Sequence, residues 1–462
     1  MEAITGLTAQ TVQMCLGARS GHTRRRLLAG AGTGLAGVLL AACGAGTPAE
    51  SGEKVNTNPT GGGEVLWSII GGQEQIDILQ KEVFPDYLRE HPQVRLTITS
   101  DGSWNDHNTK LLAALSAGTP PDIARIKDYW TADYFSKGAL AALEPYVKAD
   151  KLDLVAKHGA ARLASCQQSG KLYALPFTTV TLHQFYNPDL LREYGFVKGS
   201  DITPPDTWND RREMARRMTD RTRDRWGNMM YAYSTDQSTT TDFMQWAMQN
   251  GVEWMNKDLT KFTFNTAEGV ETLQYLQDLI WKDQSTIPPG YSIQQPVETG
   301  KVALWIGGSW TIPGYRKNPD VKFMTALNPE KKTRALMLQA NNIVLFKDSK
   351  VRDLAWTVMR HMNKESSDLA WNSGAGYVPV ALSNFDKPPF STDPAWVMVT
   401  KQVRRPDSKP YPIVTNYQEM MNVIGEELVA AYKNQKIAKE ALAEASRRAQ
   451  ELLDVEVAKR KG

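Results

Sequence analysis

Cysteine is scarce. Three occur in 462 residues, Cys15, Cys43 and Cys166, and the first two lie near the N-terminus. Cys166 stands alone in the body, which excludes an intramolecular disulfide there and any CxxC metal pair. The six histidines, His22, His91, His107, His158, His183 and His361, form neither HxH nor HxxxH. A zinc site therefore has no sequence support, and no metal is expected. Charge of one sign is also missing. The formal charge of +3 comes from Arg19, Arg24, Arg25 and Arg26 against Glu2, and the rest of the chain balances. A neutral body without a basic run argues against nucleic-acid binding. No apolar run reaches the ~20 residues that a membrane-spanning helix needs. Catalytic signatures are absent too: there is no GxSxG, no P-loop and no HExxH. Neither an enzyme nor a cofactor is expected.

What is present begins with an address. Thr23-Arg24-Arg25-Arg26-Leu27-Leu28 fits a twin-arginine export signal, with Arg24 and Arg25 as its pair. A Gly/Ala-rich apolar run from Leu27 to Ala42 has the length of a signal h-region. It ends in Leu40-Ala41-Ala42-Cys43, which resembles a bacterial lipobox. Residues 1–42 then read as a signal peptide, and Cys43 as the lipidated first residue of the mature protein. A plain secretory route shares most of these features, and Met14 would also serve as a start. Residues 43–62 are Gly, Pro, Thr, Ser and charged residues, the composition of a flexible linker. Lipid anchoring to the outer face of the cytoplasmic membrane follows.

The body starts with alternating elements. Glu64–Ile70 reads as a strand and Gln75–Glu90 as a helix, with Ile76, Leu79, Val83, Tyr87 and Leu88 on one face. Val94, Leu96 and Ile98 mark a second strand, Asn105–Ala117 a helix, and Ile123–Ile126 a third strand. Strand–helix alternation implies a mostly parallel sheet with covering helices. Ligands in such sheets bind beyond the carboxyl ends of the strands. That rule points to the loops holding Ser68, Trp104, and Asp128-Tyr129-Trp130.

A strand piece from Lys171 ends at Pro176, and a second strand-like run covers Thr178–Tyr186. Asn187-Pro188 opens a helix that Gly195 closes. Thr207 and Asp210 have capping-box spacing. Trp226-Gly227 and Tyr231-Ala232-Tyr233 suggest a turn into a short strand. Thr240–Gln249 and Thr266–Lys282 read as helices, the second with an apolar face. Phe262–Asn265 looks like a strand edge. Val302–Ile306 is a buried strand before Gly307-Gly308-Ser309-Trp310, where the glycines let the backbone pass close to another surface. Two strand pieces are expected around Ala340, a helix over Lys350–Met362, and a flexible glycine turn over Asn372–Gly376. A last helical stretch runs from Asn416 to about Lys459, with a break near Asn434.

These segments carry a resemblance. GKLYALP, FYN and PPDTW look like the first interdomain crossover of the family 1 extracellular solute-binding proteins, the capture subunits of ABC importers, many of them for sugars. GTPPDIARIKDYW, the GKVALWIGGSW segment and the Gly376–Pro379 turn resemble further family segments in the same order, over about residues 64–455. The resemblance implies a two-lobed, type II periplasmic-binding-protein-like α/β fold. Lobe 1 would comprise 64–176 and 340–377, and lobe 2 would comprise 177–339 and 378–462. The implied function is capture of a carbohydrate, an oligosaccharide, in the interlobe cleft by hinge closure. The partner would be a membrane permease, and the protein a monomer. A polyamine or peptide binder, and a lipid-anchored carbohydrate-active enzyme, stand as alternatives.

Flat rings bury the apolar faces of a pyranose while polar groups satisfy its hydroxyl rim. Candidate contacts from the first lobe are therefore Ser68, Trp104, Asp128, Tyr129 and Trp130. From the crossovers come Thr178, Thr179, Asn341, Trp371 and Tyr377. From the second lobe come Tyr233, Trp246, Ser309 and Trp310.

Overall fold

Residues that read as alternating strand and helix build two separate sheets. The computed structural model describes residues 54–291 and 295–461. Arg24, Arg25, Cys43 and the rest of the export signal lie outside the described residues. Residues 54–62 form neither helix nor strand. They nevertheless rest on the body: Thr57 is buried and Val55 packs against the main core.

The first sheet centres on the Gly63–Ile70 strand, which pairs in parallel with Val94–Asp101 and with Ile123–Lys127. Met337–Leu345 runs antiparallel to Ile123–Lys127 and to Ala174–Val180. The short Lys409–Pro410 strand completes the six. The second sheet has the order Trp226–Met229, Val302–Gly308, Leu182–Tyr186, Met324–Ala326. Only its first pair is parallel. The two-lobed α/β fold stands, but both sheets are mixed. The reason lies in the connections: segments that enter a sheet from the other lobe need no right-handed βαβ crossover and add antiparallel.

Several helix ends follow from local chemistry. The Asn187 side chain accepts from the backbone N–H groups of Asp189 and Leu190, and Pro188 fills the first turn of Pro188–Glu193. The capping box is formed at both ends: Thr207 Oγ1 accepts from Asp210 N at 3.1 Å, and Asp210 Oδ2 accepts from Thr207 N at 2.8 Å. The C-terminal helices are Tyr417–Tyr432 and Ala438–Lys461, and Asn434 between them has φ 57°. They pack with Gln237–Gln249 and Ala267–Gln277, which extend the main core away from the first sheet.

The structure departs from the local reading at six places. Pro176 sits within the Ala174–Val180 strand. It lies opposite Asn342, where the register shifts, so no ladder donor is lost. Met337–Leu345 is one continuous strand through Ala340, because Ile123–Lys127 and Ala174–Val180 pair along it. Asn372–Gly376 is the end of the Glu365–Ala375 helix, and Gly376 caps it at φ 78°. The Gln75–Glu90 helix is interrupted at Phe84, and Pro85 starts its last piece. The second-sheet strand falls on Trp226–Met229 rather than Tyr231–Tyr233. Phe262, expected at a strand edge, makes a single bridge to Met255.

Candidate functional site

Three chain segments meet where the two sheets join. Ala174–Val180 ends in the first sheet and Leu182–Tyr186 begins in the second, so the chain changes sheet at Thr181. Ser309 N donates to Thr181 O. Thr179 and Val378 exchange both backbone hydrogen bonds, at 3.0 and 3.1 Å. Asp128 closes the set. Its N–H donates to Ala340 O, and its Oδ2 accepts from Ala340 N at 2.8 Å. These bonds fix the carboxyl end of the Ile123–Lys127 strand against the returning Met337–Leu345 strand.

A cavity of about 240 Å³ opens at that junction. It draws Trp104, Arg125, Lys127, Asp128 and Tyr129 from the first-sheet side. Tyr231, Gln237, Ser238, Thr241 and Trp310 come from the second, and Val180, Gln339, Ala340, Asn341 and Tyr377 from the connecting segments. Six of the residues singled out in the sequence therefore share one wall: Trp104, Asp128, Tyr129, Trp310, Asn341 and Tyr377. Its rings are held in mutual contact. Trp310 lies 6.4 Å from Tyr377 and 6.1 Å from Tyr231 between ring centres. Gly308 makes this possible, since a Cβ there would lie 2.2 Å from the Trp310 ring. Gly376 does the same from the other side, where a Cβ would lie 2.7 Å from Trp310 Cα.

The other eight candidates do not line the cavity. Ser68 and Trp130 are buried, and Trp130 packs edge-on behind Trp104 at 5.6 Å. Thr178 is buried and donates to Asn372 Oδ1. Thr179 and Ser309 spend their backbone on the junction, and their hydroxyls are buried. Tyr233 donates to Ile287 O. Trp246 is a core residue between Trp208 and Tyr275, and its indole N–H donates to Asp242. Trp371 is fully buried and stacks on Phe177 at 4.9 Å, supporting Tyr377 from behind.

The strand before the cavity carries the residues that the sequence reading missed. Arg125 and Lys127 share one face of Ile123–Lys127, two positions apart. Two cations in an otherwise apolar, fully buried strand were the available signal. Arg125 is completely buried. Its Nε and Nη2 donate to Asn341 Oδ1 at 3.1 and 2.6 Å, and its Nη1 donates to Ile70 O and Gln75 Oε1. Its guanidinium lies 4.8 Å from the Tyr377 ring centre. Lys127 Nζ has no hydrogen-bond partner among the described residues. It is enclosed by Trp104, Tyr129 and Trp130, at 5.2, 5.6 and 5.5 Å.

Burial controls the titration here. It pushes the Lys127 ammonium down to about 7, opposed by the fields of Asp236 and Asp128. It pushes the Asp128 carboxyl up to about 7, against the hydrogen bonds from Ala340 and Tyr129. Lys127→Met is accordingly expected to stabilise the fold, by about 2–4 kcal/mol at neutral pH. The unfolded chain holds this proton up to its ordinary value of 10.5, and the folded chain only up to about 7. The penalty is thus absent above pH 10.5, grows as pH falls, and is complete below 7. Urea unfolding of both proteins at neutral and high pH checks this. Equal stabilities at neutral pH contradict it.

No group of three or more His, Cys, Asp or Glu side chains poised for a metal occurs among the described residues. No described helix is long and apolar enough to cross a membrane. His107, His158, His183 and His361 are buried and hydrogen-bonded. Cys166 is a free, buried thiol whose pKa burial pushes up.

Comparison with known proteins agrees with this geometry. The sequence profile of the bacterial extracellular solute-binding proteins matches residues 71–367. A putative binding protein of Brucella abortus is 21% identical over 379 residues, covering 80% of this chain and 88% of the relative. The diacetylchitobiose-binding protein of Streptomyces coelicolor is 26% identical over 354 residues, covering 72% and 76%. The substrate-binding protein of Listeria monocytogenes in complex with cycloalternan superposes with a TM-score of 0.75 at 20% identity. It covers 84% of this chain and 98% of its own. The profile match spans well over half of the chain, and the fold is shared with that structure: the chain belongs to the bacterial extracellular solute-binding proteins.

Proposed function

We propose that this protein captures a carbohydrate in the junction cavity and delivers it to the permease of an ABC importer. The observation that carries this reading is the composition of the cavity wall. Trp104, Tyr129, Tyr231, Trp310 and Tyr377 offer flat apolar faces, and Gln237, Ser238, Thr241, Gln339 and Asn341 offer a polar rim. Both sheets and the connecting segments contribute, so a bound solute would bridge the halves and favour the closed arrangement. Relatives named for diacetylchitobiose and arabinooligosaccharide binding, and a cycloalternan complex, support a saccharide. The first lobe boundary would fall at Thr181, where the chain changes sheet, rather than after Pro176, and the other two would fall at Ala340 and Val378. The volume is small beside the roughly 300–1,000 Å³ of a drug-sized site. A ligand longer than a short saccharide would require the cleft to open.

A thermal-shift screen against mono- and oligosaccharides tests this, with polyamines and peptides as controls. A ligand that binds only the folded state raises the melting temperature by mass action. A rise with one saccharide class supports the reading, and a rise confined to polyamines or peptides overturns it.

Cys43 would anchor the protein to the outer face of the cytoplasmic membrane after export through the Arg24-Arg25 signal. Metabolic labelling with a radioactive fatty acid is expected to mark the wild type and to be lost in Cys43→Ser. Label retained in the variant contradicts the anchor.

A further inference from the structure

We propose that the captured solute is an acidic saccharide, whose carboxylate or phosphate docks against Lys127 and Arg125. The proposal rests on the carbohydrate reading above and narrows it. Two cations and one carboxylate line the cavity. The carboxylate, Asp128, is already committed, since its Oδ1 accepts from Tyr129 N and its Oδ2 from Ala340 N. Arg125 donates only to neutral oxygens, of Asn341, Ile70 and Gln75. Lys127 is 7% exposed and donates to nothing among the described residues. A buried ammonium without an acceptor is costly. Three aromatic rings offset part of that cost through cation–π attraction, but a ring does not take a hydrogen bond in line as an oxygen does.

No charged group among the described residues accepts a hydrogen bond from Lys127. Asp236 faces it from the start of the Gln237–Gln249 helix, but Asp236 Oδ1 accepts from Ser234 Oγ and Ser238 N. Tyr129 donates its hydroxyl to Gln418, and Tyr411 is hydrogen-bonded to Thr241. Tyr231 and Tyr377 are neutral walls. An anion placed between Lys127 and Arg125 would supply the missing acceptor and oppose both charges at once. The same helix presents its N-terminal residues Gln237 and Ser238 to the cavity, an end that favours negative charge.

Binding would also take up protons. An anion raises the affinity of both Lys127 and Asp128 for protons, and burial already pushes the ammonium down and the carboxyl up, each to about 7. Affinity for the acid therefore rises as pH falls from about 9 to 7.

The test is a calorimetric titration of the intact protein with matched pairs: glucuronic acid, glucose 6-phosphate and digalacturonic acid against glucose, and maltose as a further neutral sugar. At least one acid is expected to bind tenfold or more tighter than its neutral counterparts, with proton uptake at pH 7.5 in buffers of different ionisation enthalpy. In Lys127→Met, a variant expected to fold, the ratio should fall to threefold or less. A uronate preference and a phosphate preference would identify which anion the site takes. Neutral sugars that bind as tightly as every acid tested overturn the proposal and leave the carbohydrate reading intact. So does an unchanged ratio in Lys127→Met. Inorganic phosphate alone binding as tightly as glucose 6-phosphate also overturns it. Absence of binding by every saccharide, acidic or neutral, counts against the carbohydrate reading itself.

Discussion

Asp368→Ala is expected to cost about 3–5 kcal/mol of folding stability, the most damaging single change at the junction. Asp368 lies in the Glu365–Ala375 helix and is almost fully buried. Its carboxylate accepts four hydrogen bonds. Oδ1 takes Asn372 Nδ2 at 2.8 Å and Val380 N at 3.0 Å. Oδ2 takes Ala381 N at 3.2 Å and Asn384 Nδ2 at 2.7 Å. Asn372 in turn accepts from Thr178 Oγ1 at 2.6 Å. One carboxylate thus ties the last connecting segment to the first. Alanine would leave the buried N–H groups of Val380 and Ala381 without an acceptor, each costing about 1–3 kcal/mol before relaxation, while the Asn372 and Asn384 amides would each keep one backbone acceptor. Asp368→Asn keeps one accepting oxygen and should cost less. Burial raises the Asp368 pKa despite these donors and the nearby Arg162. The carboxylate is therefore held for its connections rather than for its charge. Urea unfolding of the two variants measures the order. A loss below about 1 kcal/mol for Asp368→Ala would show that the segment holds without it.

Trp310→Ala is expected to lower saccharide affinity by more than tenfold, about 1.4 kcal/mol or more. Trp310 is only half-buried, with its ring over Gly308 and beside Tyr377 and Tyr231. It follows the Val302–Gly308 strand directly, so the second sheet holds its backbone in place. An indole fixed in this way can cover a sugar face without losing rotamer freedom on binding. Since the ring is only partly buried at the edge of the core, the fold should lose less than the ligand does. Calorimetric titration with the saccharide found by screening, beside a thermal melt, separates the two effects. An affinity within twofold of wild type would remove Trp310 from the site.

Where local chemistry decides the structure, the sequence was sufficient. The Asn187-Pro188 helix start, the Thr207/Asp210 capping box and the break at Asn434 each depend on a few neighbouring residues. The Val302–Gly308 strand was legible because a fully buried strand reads as a continuous apolar run. Where distant segments decide, it was not. Nothing near Pro176 says that the strand continues through it, because the pairing partner is Asn342, far along the chain. Ala340 lies mid-strand because two strands from elsewhere hold it there.

The site divides in the same way. Strand ends located Trp104, Asp128, Tyr129 and Trp310 by rule, and the cavity gathers them. The same reasoning could not separate a wall tryptophan from a core one. Trp246 and Trp371 look like Trp310 in sequence, yet both are fully buried in packed aromatic clusters. Arg125 and Lys127 escaped notice because charged residues in strands are most often on a solvated face. Here that face is the floor of the cavity.

The central claim is saccharide capture at the junction of the two sheets. Calorimetric titration of the purified protein with the saccharide from the screen, followed by chromatographic recovery of the sugar, tests it most directly. The account predicts one saturable site per chain and quantitative recovery of unaltered saccharide. Recovery of cleaved or modified sugar, or no saturable binding by any saccharide, would contradict it.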